Sequence, residues 1–354
     1  MCHPQDKVKD VIAETEGNVC IIDGSLLAFR SSAAGEKRSI VATHRASGNT
    51  KPFDNRTALK AFIKERNIKF DEDKQFNVTD FEIEDVVDAP AKELAFHNAK
   101  SMIQYICGMC NATEYRVFLD EGETFRHHLA TSQRYKGNRI GKAKPVNLKA
   151  VKEYLVLHHA AEMVTEIEAD DLLNMYQWEG AKLTRAGSDR KIISCSFDKD
   201  SWGNCGWLFD FRKDSDGQPM MREPQWVDGL GKLILHPNKV SGDGRKFFYY
   251  QVLDQDSADN YKGRRLSGHR YSHKRAYEDL SPCKTDKECI QVLVNKYQEW
   301  YPEELPYVSW DGKDMVATWE SMLQEHWDLA RMLRWRGDEV KVMDVIKRVG
   351  AVYG

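Results

Sequence analysis

Acidic side chains that close short apolar runs are the part of this sequence best suited to chemistry. Val19-Cys20-Ile21-Ile22 ends at Asp23-Gly24, and Val117-Phe118-Leu119 ends at Asp120. Lys191-Ile192-Ile193-Ser194-Cys195 leads into Ser196-Phe197-Asp198-Lys199-Asp200. A fourth group, Glu168-Ala169-Asp170-Asp171, opens a run with helical spacing. At about 100° per residue Glu168 and Asp171 share a helix face and Asp170 points aside, so one turn offers carboxylates in two directions. Two unit charges ~4 Å apart repel by about 4 kcal/mol at an effective dielectric near 20. A cleft that gathered all these acids would need a counter-charge, and all-oxygen ligands select hard divalent cations, Mg2+ or Mn2+. A pair of such ions about 4 Å apart can activate water, clamp a phosphate and steady a leaving oxygen. Taken singly, each acid is a turn former or helix N-cap. Their accumulation on one sheet edge favours the chemical reading.

That accumulation depends on the fold. The three apolar runs read as buried strands, with helical spacing over 91–109 between the first two and over 151–159 and 166–178 between the second and third. Strands alternating with helices imply an α/β fold with a largely parallel central sheet and helices on both faces. In such a sheet the active crevice lies beyond the carboxyl ends of the strands. Residues 31–90 are polar, acidic and weakly periodic, and read as an insertion that is at best partly structured. Residues 210–250 carry several Gly and Pro and the strand-like runs 232–235 and 247–252, which suggest a β-hairpin excursion. From Asp254 onward the pattern turns helical, ending with 317–336, where Trp319, Leu323, Trp327 and Ala330 share one face.

Composition limits the alternatives. The 354 residues are 41% hydrophobic and 30% charged, with a mean hydropathy of −0.62, which suits one large or two modest globular domains. No apolar stretch approaches the roughly 20 residues of a membrane helix. Met1 to Asp6 has no apolar signal core, which predicts a cytoplasmic protein (host cytoplasm for a viral one) with no membrane partner. The eight cysteines therefore read as reduced thiols. Cys107 and Cys110 have zinc-like spacing, but no second pair lies near them in sequence, and Cys283 and Cys289 are poorly spaced for a site. Apolar core thiols are the expectation. Gly137-x-x-x-Gly141-Lys142 lacks the full phosphate-loop pattern, and no Gly-x-Gly-x-x-Gly follows the first strand.

The net charge is −3, yet the charge is segregated. Eight Lys/Arg and no acid lie between Arg126 and Lys152, and six more with no acid between Lys262 and Arg275. Asp71 to Asp88 holds eight acids and one lysine. Two basic stretches suit a polyanionic partner, although each run taken alone is also a solvated face.

Six segments then occur in a telling order over about two-thirds of the chain. They are Ile21-Ile22-Asp23-Gly24; Val117-Phe118-Leu119-Asp120; Phe125-Arg126-His127-His128-Leu129 with Tyr135-Lys136-Gly137-Asn138-Arg139; Glu168-Ala169-Asp170-Asp171; Ser196-Phe197-Asp198-Lys199-Asp200; and Asp256-Ser257-Ala258-Asp259-Asn260-Tyr261-x-Gly263. In this order the sequence resembles the 5′-nuclease (flap endonuclease) superfamily, especially the bacteriophage 5′–3′ exonucleases. The resemblance implies two Mg2+ ions, with Mn2+ able to substitute. Asp23, Asp120, Glu168 and Asp170 would serve the first, and Asp171, Asp198, Asp200, Asp256 and Asp259 the second. Lys136 and Arg139 would neutralise the scissile phosphate from a helical arch at about 121–160, and Tyr135 would stack on a terminal base. Arg126, Arg134, Lys142 and Lys144 of the arch would contact DNA. So would Lys262, Arg264, Arg265, Lys274 and Arg275 of a helix–three-turn–helix platform, with Ser272 opening its second helix.

On this resemblance residues 1–252 form a nuclease core containing the 31–90 insertion, the arch and the hairpin excursion. Residues 253–354 form a helical duplex-binding region packed on it. The implied activity is structure-selective hydrolysis at 5′ ends, nicks and flaps of DNA, with RNA–DNA hybrids as a further substrate class and replication proteins as partners. Two departures from the family pattern stand out. The glycine rhythm of the three-turn element is reduced to Gly263 and Gly268, which puts a monovalent-ion site there in question, and the 31–90 insertion is long. Two other functions remain open: a PIN-type endoribonuclease, needing about four acids and no platform, and a non-catalytic, structure-specific DNA binder.

Overall fold

The computed structural model describes residues 7–14 and 16–353, so Met1 to Asp6 lie outside the described residues. Helix α1 (Val8–Glu14) precedes strand β1 (Asn18–Asp23), which is buried from Val19 onward. Helix α2 (Gly24–Ala33) follows at once, because Asp23 Oδ1 accepts from the Leu26 amide at 2.9 Å and satisfies one of its orphan donors.

Residues 31–90 correct the expectation of a poorly structured insertion. They hold β2 (Lys37–His44), β3 (Thr50–Phe53), α3 (Arg56–Asn67) and β4 (Phe81–Asp88). Strand β2 pairs antiparallel with both neighbours, and α3 lays Leu59 and Ile63 in a small core with Ile40, Ala42 and Phe81. Asn55 caps α3 by accepting from the Ala58 amide. An antiparallel sheet with one solvated face needs few apolar residues, so its sequence looks polar and weakly periodic. Ala28–Lys100 and Lys144–Val151 make up this smaller unit; Met1–Leu27, Ser101–Ala143 and Lys152–Gly354 make up the larger.

The chain continues through α4 (Lys92–Cys110), β5 (Ala112–Thr124), α5 (Phe125–Leu129), α6 (Leu148–His159), β6 (Glu162–Glu166) and α7 (Ala169–Arg185). Strands β7 (Ile192–Cys195), β8 (Gly206–Phe209) and β9 (Gln225–Val227) complete a sheet of order β6-β5-β1-β7-β8-β9 in the larger unit. All its neighbours are parallel except the β8–β9 edge pair, as the α/β reading expects. Leu172, Leu173, Met175 and Tyr176 of α7 pack with Val19, Ile21 and Phe118 on one face. On the other, Cys20 meets Cys110 of α4. Strand β5 runs past Asp120 to Thr124, with irregular pairing between those two residues. The region 121–160 is not a helical arch. Apart from the end of β5, α5, the short turn Gly137–Arg139 and α6, it is turn and irregular backbone, and its stretch from Lys144 to Val151 belongs to the smaller unit.

Hairpin β10 (Leu233–Leu235)–β11 (Val240–Gly242) fits the expected excursion, but 247–252 is helical, within α8 (Gly244–Leu253). Eight residues of α8 are buried, among them Phe247, Tyr249, Tyr250, Val252 and Leu253. A helix buried on nearly all sides has the same apolar signature as a buried strand. Helices α9 (His273–Leu280, capped by Ser272) and α10 (Asp286–Trp300) precede the hairpin β12 (Leu305–Val308)–β13 (Asp314–Ala317). Helices α11 (Trp319–Ala330) and α12 (Val342–Val349) end the fold. One core joins Leu253, Leu293, Tyr297, Leu323, Trp327 and Ile346 to Ala130 and Tyr135. Residues 253–354 therefore share a unit and a core with earlier residues, and no division falls at 252–253. Among the described residues no helix is long and apolar enough to cross a membrane.

Candidate metal centre at the sheet edge

Asp23 leaves β1 beside β5, where the following Gly24 is sterically required: a Cβ there would stand 2.7 Å from the Phe118 carbonyl oxygen. The Asp23 carboxylate is 3% exposed and accepts from the Ser196 hydroxyl at 3.2 Å. That same hydroxyl accepts from the Asp198 amide at 3.0 Å, so Ser196 joins the acids of β1 and β7. Asp120 Oδ1 accepts from the Ala169 amide at 2.7 Å, which ties β5 to the first turn of α7. Asp198 Oδ1 accepts from the Asp200 amide at 3.1 Å.

Asp170 lies among these groups, and its Oδ1 is buried without a hydrogen-bond partner. Burial pushes its carboxyl well above the usual range, and Asp23, Asp198, Asp120 and Glu168 push it further. Asp23 and Asp198 are each raised to about 7, chiefly by burial, with Asp120 adding to the first and Asp200 to the second. A buried, unpaired carboxylate oxygen facing other carboxylates is costly for the folded chain alone and matches the ligand chemistry of a hard divalent cation. On that test Asp23, Asp120, Asp170, Asp198 and Glu168 fit a hard divalent cation.

The second acidic group adjoins it. Carboxylate oxygens of Asp200, Asp256 and Asp259 lie within 4.8 Å of one another. Asp256 and Asp259 come from a loop pinched by two backbone hydrogen bonds of 3.0 Å between Asp256 and Tyr261. Asp256 Oδ1 accepts from the amides of Ala258 and Asp259 at 2.7 and 3.2 Å, which fixes the turn locally. Gly263 closes the loop, since a Cβ there would stand 2.3 Å from the Tyr297 hydroxyl.

Three cations border this group. Lys199 binds Asp200 at 2.8 Å and also Asp256. Lys136 pairs with Glu168 and stands 3.7 Å from Asp259, and Arg139 donates to Asp259 at 2.9 Å. Lys136 adopts φ 51° and ψ 17°, a left-handed conformation uncommon for a non-glycine residue. Burial would raise the Asp259 carboxyl, yet Lys136, the Tyr135 hydroxyl and Arg139 outweigh it and hold it below its ordinary value. Eight acidic groups thus meet Lys199, Lys136, Arg139 and, at Glu168, Arg126, an excess of carboxyl groups suited to divalent ions.

The structure departs from several expected roles. Asp171 does not face the other acids. It is fully buried in a bidentate pair with Arg126, at 2.6 and 2.8 Å, and its oxygens also accept from the amides of Glu168 and Leu333. Arg126, fully buried, spends its remaining donors on the Leu329 and Arg331 carbonyls, so it has no surface for DNA. Tyr135 is 1% exposed and donates to Asp259 at 2.8 Å, which leaves no ring face for a terminal base. Arg264 is buried against Asp254 and is likewise unavailable to DNA. Each was read outward because a charged or aromatic residue in a basic stretch carries no sequence mark of burial.

Arg134, Lys142, Lys144, Arg265, Lys274 and Arg275 are exposed and Lys262 is half-buried. Lys262 and Arg275 line one surface groove with Arg270 and Tyr271. Lys199, Ser196 and the Gln251 amide, which donates to Asp200, had no role assigned from sequence. The alternation Asp198-Lys199-Asp200 was the available signal for Lys199; Gln251, in a helix distant in sequence, offered none.

No protein-family model and no curated protein matches the chain. Solved structures to which it is similar include three that are each 16% identical to it, with 94% of this chain covered. One is a T5 protein co-crystallised with metal ions (96% of that chain covered, TM-score 0.47), and another is a T5 5′-exonuclease mutant (96%, 0.44). The third is a bacteriophage T5 flap endonuclease in a pseudo-enzyme–product complex with DNA and metal ions (97%, 0.42).

Proposed function

We propose that this protein is a divalent-metal-dependent nuclease that hydrolyses phosphodiesters at or near 5′ ends of DNA. The observation that carries the reading is the orphaned, buried Asp170 Oδ1 among carboxylates delivered by three strand ends and the first turn of α7. Bound divalent ions would supply charge stabilisation to the phosphoryl group and make water more acidic. Asp23, Asp120, Asp170, Asp198 and Glu168 would hold one ion, with Mg2+ the hard cation these oxygens suit and Mn2+ a substitute. Asp200, Asp256 and Asp259 would hold the other.

The chain's own groups complete the chemistry. Ser196 fixes the orientation of Asp23 and of the loop bearing Asp198. Tyr135, kept neutral by burial and by Glu168 and Asp259, donates a fixed hydrogen bond to Asp259. Lys136 and Arg139 have side chains 24% and 50% exposed, so each can meet a phosphate while paired to the acids. An Arg or Lys aimed at charge that develops in the transition state contributes a few kcal/mol, about 2.7–4 for a well-placed donor. Exposed Arg134, Lys142, Arg265, Lys274 and Arg275 supply phosphate contacts, which position a substrate without reading its sequence.

The test is cleavage of 5′-labelled flap, nicked and blunt DNA at matched salt, with Mg2+ and with EDTA. Short 5′ products that need Mg2+ support the reading. Equal cutting of unstructured RNA with no need for a 5′ end would identify an endoribonuclease instead, and tight, salt-sensitive binding without turnover would identify a DNA binder.

A further inference from the structure

Four of the eight cysteines converge beneath the acidic crevice. Cys20 lies in β1 and Cys195 ends β7, where it pairs in register with Ile22. Ile22 is two residues from Cys20, so both thiols project from the same face of the sheet. Cys107 and Cys110, one turn apart in the last turns of α4, face them. The sulfurs of Cys20, Cys110 and Cys195 lie within 4.8 Å of one another, and Cys107, beside Cys20, stands outside that triad. Cys20 and Cys195 are fully buried, Cys110 is 3% exposed and Cys107 is half-buried.

We propose that Cys20, Cys107, Cys110 and Cys195 form a structural site for one thiophilic divalent cation, Zn2+. The second cysteine pair that Cys107-x-x-Cys110 lacks in sequence is supplied by two parallel strands. Four sulfurs at about 2.3 Å from one tetrahedral ion stand about 3.8 Å apart. The spacing of the Cys20, Cys110 and Cys195 sulfurs suits a mononuclear centre that Cys107 would complete, whereas an iron–sulfur cluster binds its cysteines through different irons and holds them wider apart. Soft thiolates choose Zn2+ over the Mg2+ that the carboxylates suit, so the two sites take different metals. Binding releases the thiol protons to solvent, and Lys191 lies close enough to Cys110 to offset part of the resulting negative charge. Cys20 and Cys195 each precede an acidic residue, Asp23 and Asp198, by three positions. An ion here would clamp β1, β7 and α4 directly behind those acids.

The site is tested on the full-length protein, purified under reducing conditions and loaded with Zn2+ or Co2+ alone. About one Zn2+ per chain with a sulfur shell near 2.3 Å in X-ray absorption is expected, as is a thiolate-to-cobalt charge-transfer band. Oxygen ligands of the acidic crevice produce neither signal. Cys107→Ser, the half-buried position least at risk of misfolding, should keep the circular dichroism spectrum. It should also weaken metal binding by more than about tenfold, since loss of even a ligand's supporting partner costs that much. Zn2+-loaded wild-type protein that shows no sulfur shell, with all eight thiols titrating after unfolding, would overturn the proposal in favour of packed core thiols. A disulfide among these cysteines in freshly reduced protein would also overturn it.

Discussion

Replacing Asp171 with asparagine separates a structural acid from the metal-binding ones. In the native protein Arg126 is fully buried and its guanidinium is bidentate to Asp171. After the substitution the guanidinium keeps the Leu329 and Arg331 carbonyls, with Glu168 3.5 Å away as the nearest remaining carboxylate. Removing one partner of a buried ion pair costs about 3–5 kcal/mol, because the other charge stays buried without compensation. The larger unit has roughly 270 residues. At about 2.1 cal/mol/K of unfolding entropy per residue, that loss lowers Tm by about 5–9 °C. The assay is thermal unfolding in EDTA, paired with Mn2+ titration of the folded variant below its Tm. A normal Tm combined with weakened Mn2+ binding would refute the reasoning, for it would show Asp171 acting as a ligand.

The remaining predictions concern the crevice and its border. Asp23 and Asp198, raised from 3.8 to about 7, bind protons more tightly when folded than when unfolded. Stability in EDTA therefore falls as pH rises from about 4 to 7 and levels off above that, which Tm against pH would check. By the same argument Asp23→Asn should raise Tm in EDTA at pH 8 while abolishing Mg2+-dependent cleavage; a lower Tm would contradict the picture of repelling carboxylates. Mg2+ should raise the Tm of the wild type by mass action and raise that of Asp170→Asn by less, the second acidic group remaining intact. Lys136→Met should lower kcat by about a hundredfold or more, with a smaller change in KM, if its ammonium meets charge in the transition state.

Legibility in the sequence followed the strength of the local pattern. Asp23 and Asp198 were readable because β1 and β7 are uninterrupted apolar runs, and a parallel sheet puts such strand ends on one edge. Their partners in the fold were less visible. Helix spacing puts Asp170 and Asp171 on different faces, but it does not say which face meets the other carboxylates and which is consumed by Arg126. That distinction arises only when α5 and the segment after α11 bring a guanidinium and the Leu333 amide to one side of α7. Tyr135 was misread for a related reason, since its neighbours Arg134 and Lys136 reach solvent while its own ring is enclosed in the core with Ala130 and Tyr261. Of the cysteine cluster only the Cys107–Cys110 pair left a mark in the sequence. Cys20, Cys107 and Cys195 meet through strand register and helix packing, neither of which leaves a local mark.

The central claim is that the acids at this sheet edge exist to hold divalent ions. Crystals soaked in Mn2+ and measured for anomalous scattering test it most directly. The account predicts a manganese peak about 2.0–2.2 Å from the buried Asp170 Oδ1, shared with Asp23, Asp120 or Asp198. A fully occupied Mn2+ elsewhere on the chain, with Asp170 instead bonded to a protein donor, would contradict it.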